Sequence, residues 1–134
     1  LLWDWRETRV DGEISCLSYA PNCDIIAAGC ESGQLFFINA QTGEKILCPV
    51  SCESVVLSIA LKDNMMAAGC ANGQIKLFKL NESQDWGEIQ SEPPLSCGSP
   101  MSIAFKDNTI AAGCADGQIK MFRLNGSQDL GRTI

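Results

Sequence analysis

The side chains best suited to chemistry are eight cysteines, and they occur in a 134-residue chain that has no histidine. Cys48 and Cys52 are separated by three residues and Cys16 and Cys23 by six, so neither pair makes the Cys-x2-Cys unit of a zinc knuckle. Without histidine the chain lacks the commonest general base and transition-metal ligand, which excludes Ser-His-Asp and Cys-His nucleophile systems. The carboxylates are scattered. Asp63 and Asp107 fall at tight turns, where such side chains cap local backbone groups. A hydrolytic carboxylate pair would have to be assembled from different parts of the chain. The glycines recur once per turn and form no phosphate-binding loop. The pattern supplies no catalytic residue, no metal site and no cofactor site.

Three cysteines share a context instead. Ala67-Ala68-Gly69-Cys70-Ala71-Asn72-Gly73-Gln74-Ile75-Lys76-Leu77-Phe78 returns at residues 111–122 and, more loosely, at residues 27–38. A small-residue run, a turn dipeptide ending in Gly and an apolar run are the sequence form of a β-hairpin. Gly29 and Gly69 lie 40 residues apart and Gly69 and Gly113 lie 44 apart, so one supersecondary unit is used three times. Residues 58–87 and 102–131 are identical at 22 of 30 positions without a gap. Equivalent positions in stacked repeats face equivalent neighbours, not each other. Cys30, Cys70 and Cys114 therefore read as small buried apolar residues rather than a disulfide framework, which favours a reducing, intracellular location, cytoplasmic or nuclear.

The elements that must carry these residues are short strands. The first repeat predicts strands at residues 14–20, 25–30, 35–38 and 45–50. The second predicts 55–61, 65–70, 75–80 and a weaker strand at 86–90, and the third 101–105, 109–114, 119–124 and 130–134. Turns are expected at residues 21–24, Ser32-Gly33, Asp63-Asn64 and Asn72-Gly73. Residues 91–100 form a long connection whose prolines exclude it from a central strand. Residues 1–5 look like the end of one strand and the residues up to about Val10 like another, the outer part of a preceding unit, and the opening Leu1 implies that the native start has been removed or lies upstream. In the first strands Leu17 and Tyr19, Ile59 and Leu61, or Ile103 and Phe105 share a large face, while Ser18, Ala60 and Ala104 share a small one. The Ala-Ala-Gly second strand has poor intrinsic propensity, so a close-packed neighbouring sheet must hold it.

These motifs resemble the WD40 family, whose repeats build β-propellers from four-stranded blades. Trp3-Asp4 copies the family's closing dipeptide, and Ile38, Phe78 and Phe122 take its aromatic position in the full repeats. The family's turn Asp corresponds to Asp116, with Asn72 and Ser32 at the matching places. The absence of His removes the family's Gly-His dipeptide and its hydrogen-bonded tetrad, leaving apolar packing and backbone ladders to hold each blade. The implied fold is an all-β, incomplete propeller of about three to three and a half blades: residues 1–10 end a preceding blade, and residues 14–50, 54–90 and 101–134 are blades. An open arc exposes a blade face at each end, and such faces invite association with further blades or with a second copy. Residues 33–45 also look like a quinoprotein blade with its Ala-x-Thr-Gly turn, which keeps a propeller dehydrogenase as an alternative.

Composition bears on partners. A formal charge of −6 with no basic run argues against a phosphate backbone as ligand. No apolar run reaches the roughly 18 to 20 residues that span a bilayer. Asn81-Glu82-Ser83 and Asn125-Gly126-Ser127 match the glycosylation pattern but read as plain turn residues. What remains is recognition by loops at one rim of the propeller. Glu13, Glu31, Glu53, Asn72 and Asp116, with the connection at residues 91–100, are the candidate residues for docking a protein or peptide that carries Lys or Arg. A purely architectural segment is the third reading.

Overall fold

The computed structural model describes residues 4–5, 7–20, 24–82, 85–90, 94–125 and 129–133; residues 47–49, 125 and 129–133 are described by their backbone alone. Twelve strands make three antiparallel sheets of four. The first sheet holds β1 (Ile14–Ala20), β2 (Ile25–Cys30), β3 (Gln34–Asn39) and β4 (Lys45–Ser51). The second holds β5 (Val56–Lys62), β6 (Met65–Cys70), β7 (Ile75–Leu80) and β8 (Trp86–Ile89), and the third β9 (Pro100–Lys106), β10 (Thr109–Cys114), β11 (Ile119–Asn125) and β12 (Asp129–Thr133). Each sheet is a meander in chain order. The sheets stack as propeller blades with β5 beside β1 and β9 beside β5, and the ring does not close. Every strand read within the three blades is present, within one or two residues at its ends.

Alternation along the strands assigns their faces. Ile59 and Leu61 pack with Ala27, Leu35 and Phe37 of the first blade, and Ile103 packs with Ala67, Ile75 and Leu77 of the second. The aromatic position is buried in both later blades, at Phe78 and Phe122, and Ile38 is buried in the first. Trp86 of β8 stacks on Phe37 across the first interface, with ring centroids 5.5 Å apart. Hydrogen bonds also cross between blades: the Ser15 hydroxyl donates to the Val56 carbonyl, and the Ile103 amide donates to Ser58 Oγ at 3.0 Å.

The Ala-Ala-Gly strands are held for the reason their composition implies. A Cβ on Gly29 would lie 2.7 Å from Val56 Cγ1, and one on Gly69 would lie 2.8 Å from Ile103 Cδ1. The following blade occupies the space that a side chain would need. At Gly113, against which no blade packs among the described residues, the nearest such atom is Ser102 O at 4.0 Å.

Three expectations need correction. Cys114 is not a lone apolar residue: it forms a disulfide with Cys97, their Cα atoms 6.1 Å apart. The partner comes from a different place in the repeat, on the connection that crosses the end of β10, so the rule against like positions meeting does not apply to it. That bond also withdraws Cys114 from the case for a reducing compartment. Cys30 and Cys70 are buried free thiols, as read. Second, the connection before the third blade is not all open loop. Leu95 and Cys97 are buried, the Ile75 amide donates to the Leu95 carbonyl at 3.1 Å, and Ser96 bridges to Gln74, so this segment resumes pairing along β7. Pro100 opens β9 at a sheet edge, where a missing N–H is tolerated. Third, residues 7–13 form no strand, since among the described residues no strand pairs with them; Val10 instead packs on Cys30 and Ile38.

The expected turn at residues 21–23, Trp3 of the Trp-Asp dipeptide, Ser83 and residues 126–127 lie outside the described residues. Asn81 acts as a turn residue, its Oδ1 accepting the Asp85 amide at 2.9 Å.

Gly69→Ala should destabilise the 134-residue chain by about 1–3 kcal/mol through overpacking against Ile103. Gly113→Ala should be neutral or stabilising by up to ~1 kcal/mol, because alanine restricts the unfolded chain. Urea unfolding of the two variants checks the contrast, and equal losses would contradict this account of the interface.

Candidate binding rim

The rim where β1, β5 and β9 begin is built by one device used repeatedly. β2 and β3 are joined by a turn over Glu31 and Ser32 that closes with Gly33 at φ 93°, its amide donating to the Cys30 carbonyl at 3.0 Å. Gly73 and Gly117 repeat this at φ 92° and 91°, bonded to Cys70 and Cys114. Only glycine adopts that backbone without strain, and the loop is a turn plus a left-handed residue rather than a bare dipeptide. Within the turns, Asn72 Oδ1 accepts the Gln74 amide and Asp116 Oδ1 accepts the Gln118 amide, each at 3.1 Å. One oxygen of each candidate residue therefore holds its own turn.

The connections between blades are stapled to these turns from above. The Cys52 amide donates to Gly33 O at 2.7 Å and the Cys97 amide to Gly73 O at 2.8 Å, tying each connection to the blade behind. The Ala71 amide donates to Val55 O at 2.9 Å and the Ala115 amide to Ser99 O at 3.0 Å, tying it to the blade ahead. In the first blade the Glu31 amide donates to Glu13 O in the same way. The Asn72 amide adds a bond to Ser54 Oγ at 3.1 Å. Rim residues are thus surface residues on a fixed backbone.

All five candidates are exposed. Glu13 and Glu31 are brought together: their carboxyls are in hydrogen-bond contact, and that bond, then the like charge, raises the Glu31 carboxyl above its ordinary value. Glu53 sits on the connection between the first two blades in a left-handed conformation, φ 61°. Asn72 and Asp116 are each one blade further along. Every charged side chain in residues 11–13, 31–33, 52–55, 71–73, 94–99 and 115–117 is acidic: Asp11, Glu13, Glu31, Glu53 and Asp116. The opposite rim mixes signs, with Lys62 paired to Asp63 at 3.1 Å. Reading residues singly missed the stapling cysteines, although Cys52 and Cys97 precede Cys70 and Cys114 by nearly the same interval.

Among the described residues, a hollow of 460 Å³ is lined by residues 7–10, Gly12 and Ile14, and another of 140 Å³ runs along β7 and β8 from Pro94 and Leu95, beside Lys76 and Glu88, whose charged atoms are 3.9 Å apart. Among the described residues no three His, Cys, Asp or Glu side chains gather as metal ligands, and no helix is long and apolar enough to cross a membrane.

Comparison with known proteins agrees with this geometry. Residues 7–39 match the family model of the WD domain, G-beta repeat. The WD repeat-containing protein CG11141 of Drosophila melanogaster is 34% identical over 65 residues, a match that covers 44% of this chain and 9% of that protein. The β-propeller domain of Cps50 (Swd1) from Myceliophteria thermophila superposes with a TM-score of 0.73 at 12% identity, over 96% of this chain and 41% of that one. A chain of the mitotic checkpoint complex superposes at 0.70 with 15% identity, over 84% and 38%. The chain thus spans only a minor part of each of these proteins.

Glu31 should titrate above the ordinary 4.5 of a glutamate, and Glu13→Gln should lower it by removing the carboxyl–carboxyl hydrogen bond and the like charge. Its contribution to stability is fully present below the ordinary value and disappears as pH rises through the raised one. Side-chain carboxyl NMR titration of the protein and the variant checks both directions; an unmoved Glu31 in Glu13→Gln would show that the carboxyls act independently.

Proposed function

Taking the chain as a run of WD40-type repeats folded into propeller blades, we propose that it is a non-catalytic interaction scaffold whose acidic rim docks a protein or peptide rich in Lys or Arg. The observation that carries this reading is that every charged side chain borne by the turns and connections of the rim is acidic, on a backbone held by hydrogen bonds, with Lys120 of β11 reaching in only as far as the Ser96 carbonyl at 3.4 Å. Rigid placement lowers the entropic cost of docking, and a single sign of charge steers a cationic segment to that rim. Glu13, Glu31, Glu53 and Asp116 supply the charge. Asn72 supplies a free amide group, since its Oδ1 already serves the turn. The occurrence of a propeller of this fold in the mitotic checkpoint complex supports a role in protein assembly.

We further infer that the open end faces are completed by more blades, from a longer polypeptide or a second copy. Leu17 and Tyr19 are 62% and 67% exposed, while their counterparts Ile59 and Leu61 in the second blade are 6% and 8% exposed. At the other end Ile119 and Met121 are exposed, while Ile75 and Leu77 at the same positions are buried under the third blade. One end thus has the form that caps the other.

Glu31→Lys, Glu53→Lys and Asp116→Lys combined should abolish retention on an array of Lys/Arg-rich peptides, whereas Asp24→Lys at the opposite rim should leave it intact. Binding by the parent protein should weaken with added salt. Equal retention by both variants would rule out the acidic rim. Separately, sedimentation of the 134-residue chain should show self-association; a monodisperse monomer that unfolds cooperatively would show that its end faces need no cover.

A further inference from the structure

The disulfide of the third blade has an unbonded counterpart in the second. Cys97 and Cys52 occupy one structural position: each lies on a connection between blades and donates its amide to the third turn residue of the blade behind, Gly73 or Gly33. Cys114 and Cys70 occupy another, at the ends of β10 and β6. Their amides donate to Gln118 O at 2.8 Å and Gln74 O at 2.9 Å. Their sulfurs lie 3.8 Å from Ala112 O and 3.7 Å from Ala68 O. The first blade has Gly12 where the others have cysteine, and a Cβ built there would be 3.6 Å from the Cβ of Cys30. That spacing falls within the roughly 3.5–4.5 Å range of bridged cysteines. Cys52 and Cys70 are both fully buried free thiols of one core cluster, and each is the largest influence on the other's ionisation.

We propose that Cys52 and Cys70 form a second disulfide site, oxidised by a small-molecule disulfide such as glutathione disulfide, that fastens the connection between the first and second blades to the end of β6. The hydrogen bond from Cys52 holds the Cys70 thiol below its ordinary value and pushes Cys52 up, so Cys70 is the first nucleophile. Its thiolate attacks one sulfur of glutathione disulfide and expels one glutathione thiolate, leaving a mixed disulfide on Cys70. The Cys52 sulfur then attacks Cys70, breaks the mixed disulfide and expels the second glutathione. Two protein thiols are oxidised, one glutathione disulfide is reduced to two thiols, and the two protein thiol protons pass to the released thiolates. Because both sulfurs are buried, the reagent enters when the connection lifts from Gly33 and Ala71. The finished bond prevents that opening and fixes the neighbouring Glu53.

The other described thiol on this side, Cys16, is directed to the Val56 carbonyl at 3.7 Å and competes as a partner of Cys70. The test equilibrates the reduced protein in a series of glutathione buffers, blocks free thiols with iodoacetamide and maps peptides without reduction, with fragmentation that distinguishes Cys52 from Cys48. The expected result is a peptide linking Cys52 to Cys70, with loss of alkylation at both sites. In Cys52→Ser, which lacks the resolving sulfur, the linked peptide should disappear and Cys70 should be found either alkylated or carrying a trapped glutathione in the same buffers. A link from Cys70 to Cys16 or Cys48, or both thiols fully alkylated in the most oxidising buffer whatever Cys97 and Cys114 do, overturns the proposal.

Discussion

Close approach of neighbouring sheets is the constraint on which the rest of the structure depends. In β2 and β6 the Ala-Ala-Gly run leaves a shallow track, and Val56 or Ile103 of the next blade occupies the volume a side chain would have taken at Gly29 or Gly69. A propeller blade gains most of its stability from faces that it cannot bury alone, so the small face of one sheet and the large face of the next form a single packing unit. The chain has no histidine and so no hydrogen-bonded tetrad within its blades. Its cohesion rests on this interdigitation, on the Phe37–Trp86 stack and on bonds such as that from Ile103 to Ser58.

The rim follows from the same stacking. Once blades lie this close, the connection between them must cross the turn of one blade to reach the inner strand of the next, and its amides find partners in the turn residues Gly33 and Gly73. That path puts a cysteine over the end of β6 and another over the end of β10. It also leaves the side chains between the staples facing solvent, Glu53 among them. Rigidity and exposure at the rim therefore share one cause.

Repetition made most of this legible from residues alone. β2, β6 and β10 were bounded without error, since each starts after a polar turn and stops at a cysteine before a Gly-containing loop. The positions that the WD40 resemblance marks as aromatic, Phe78 and Phe122, are buried. What escaped was anything set by the connections. The strand expected before residue 10 is not formed, the segment carrying Leu95 and Cys97 is buried rather than open, and Cys114 is bonded rather than free. Connections differ in length between repeats, so alignment of one copy to another does not show what they touch.

The sequence by itself determined the unit: period, strand boundaries, large and small faces, turn glycines and the sign of charge on the loops. These are local properties, because backbone stereochemistry and side-chain size act on near neighbours. Only the tertiary structure decided which cysteine meets which, which Glu shares a proton contact with which, and which apolar faces are left uncovered. Those depend on the angle and distance between blades, which arise from packing across residues 40 or more positions apart, such as Ser58 and Ile103.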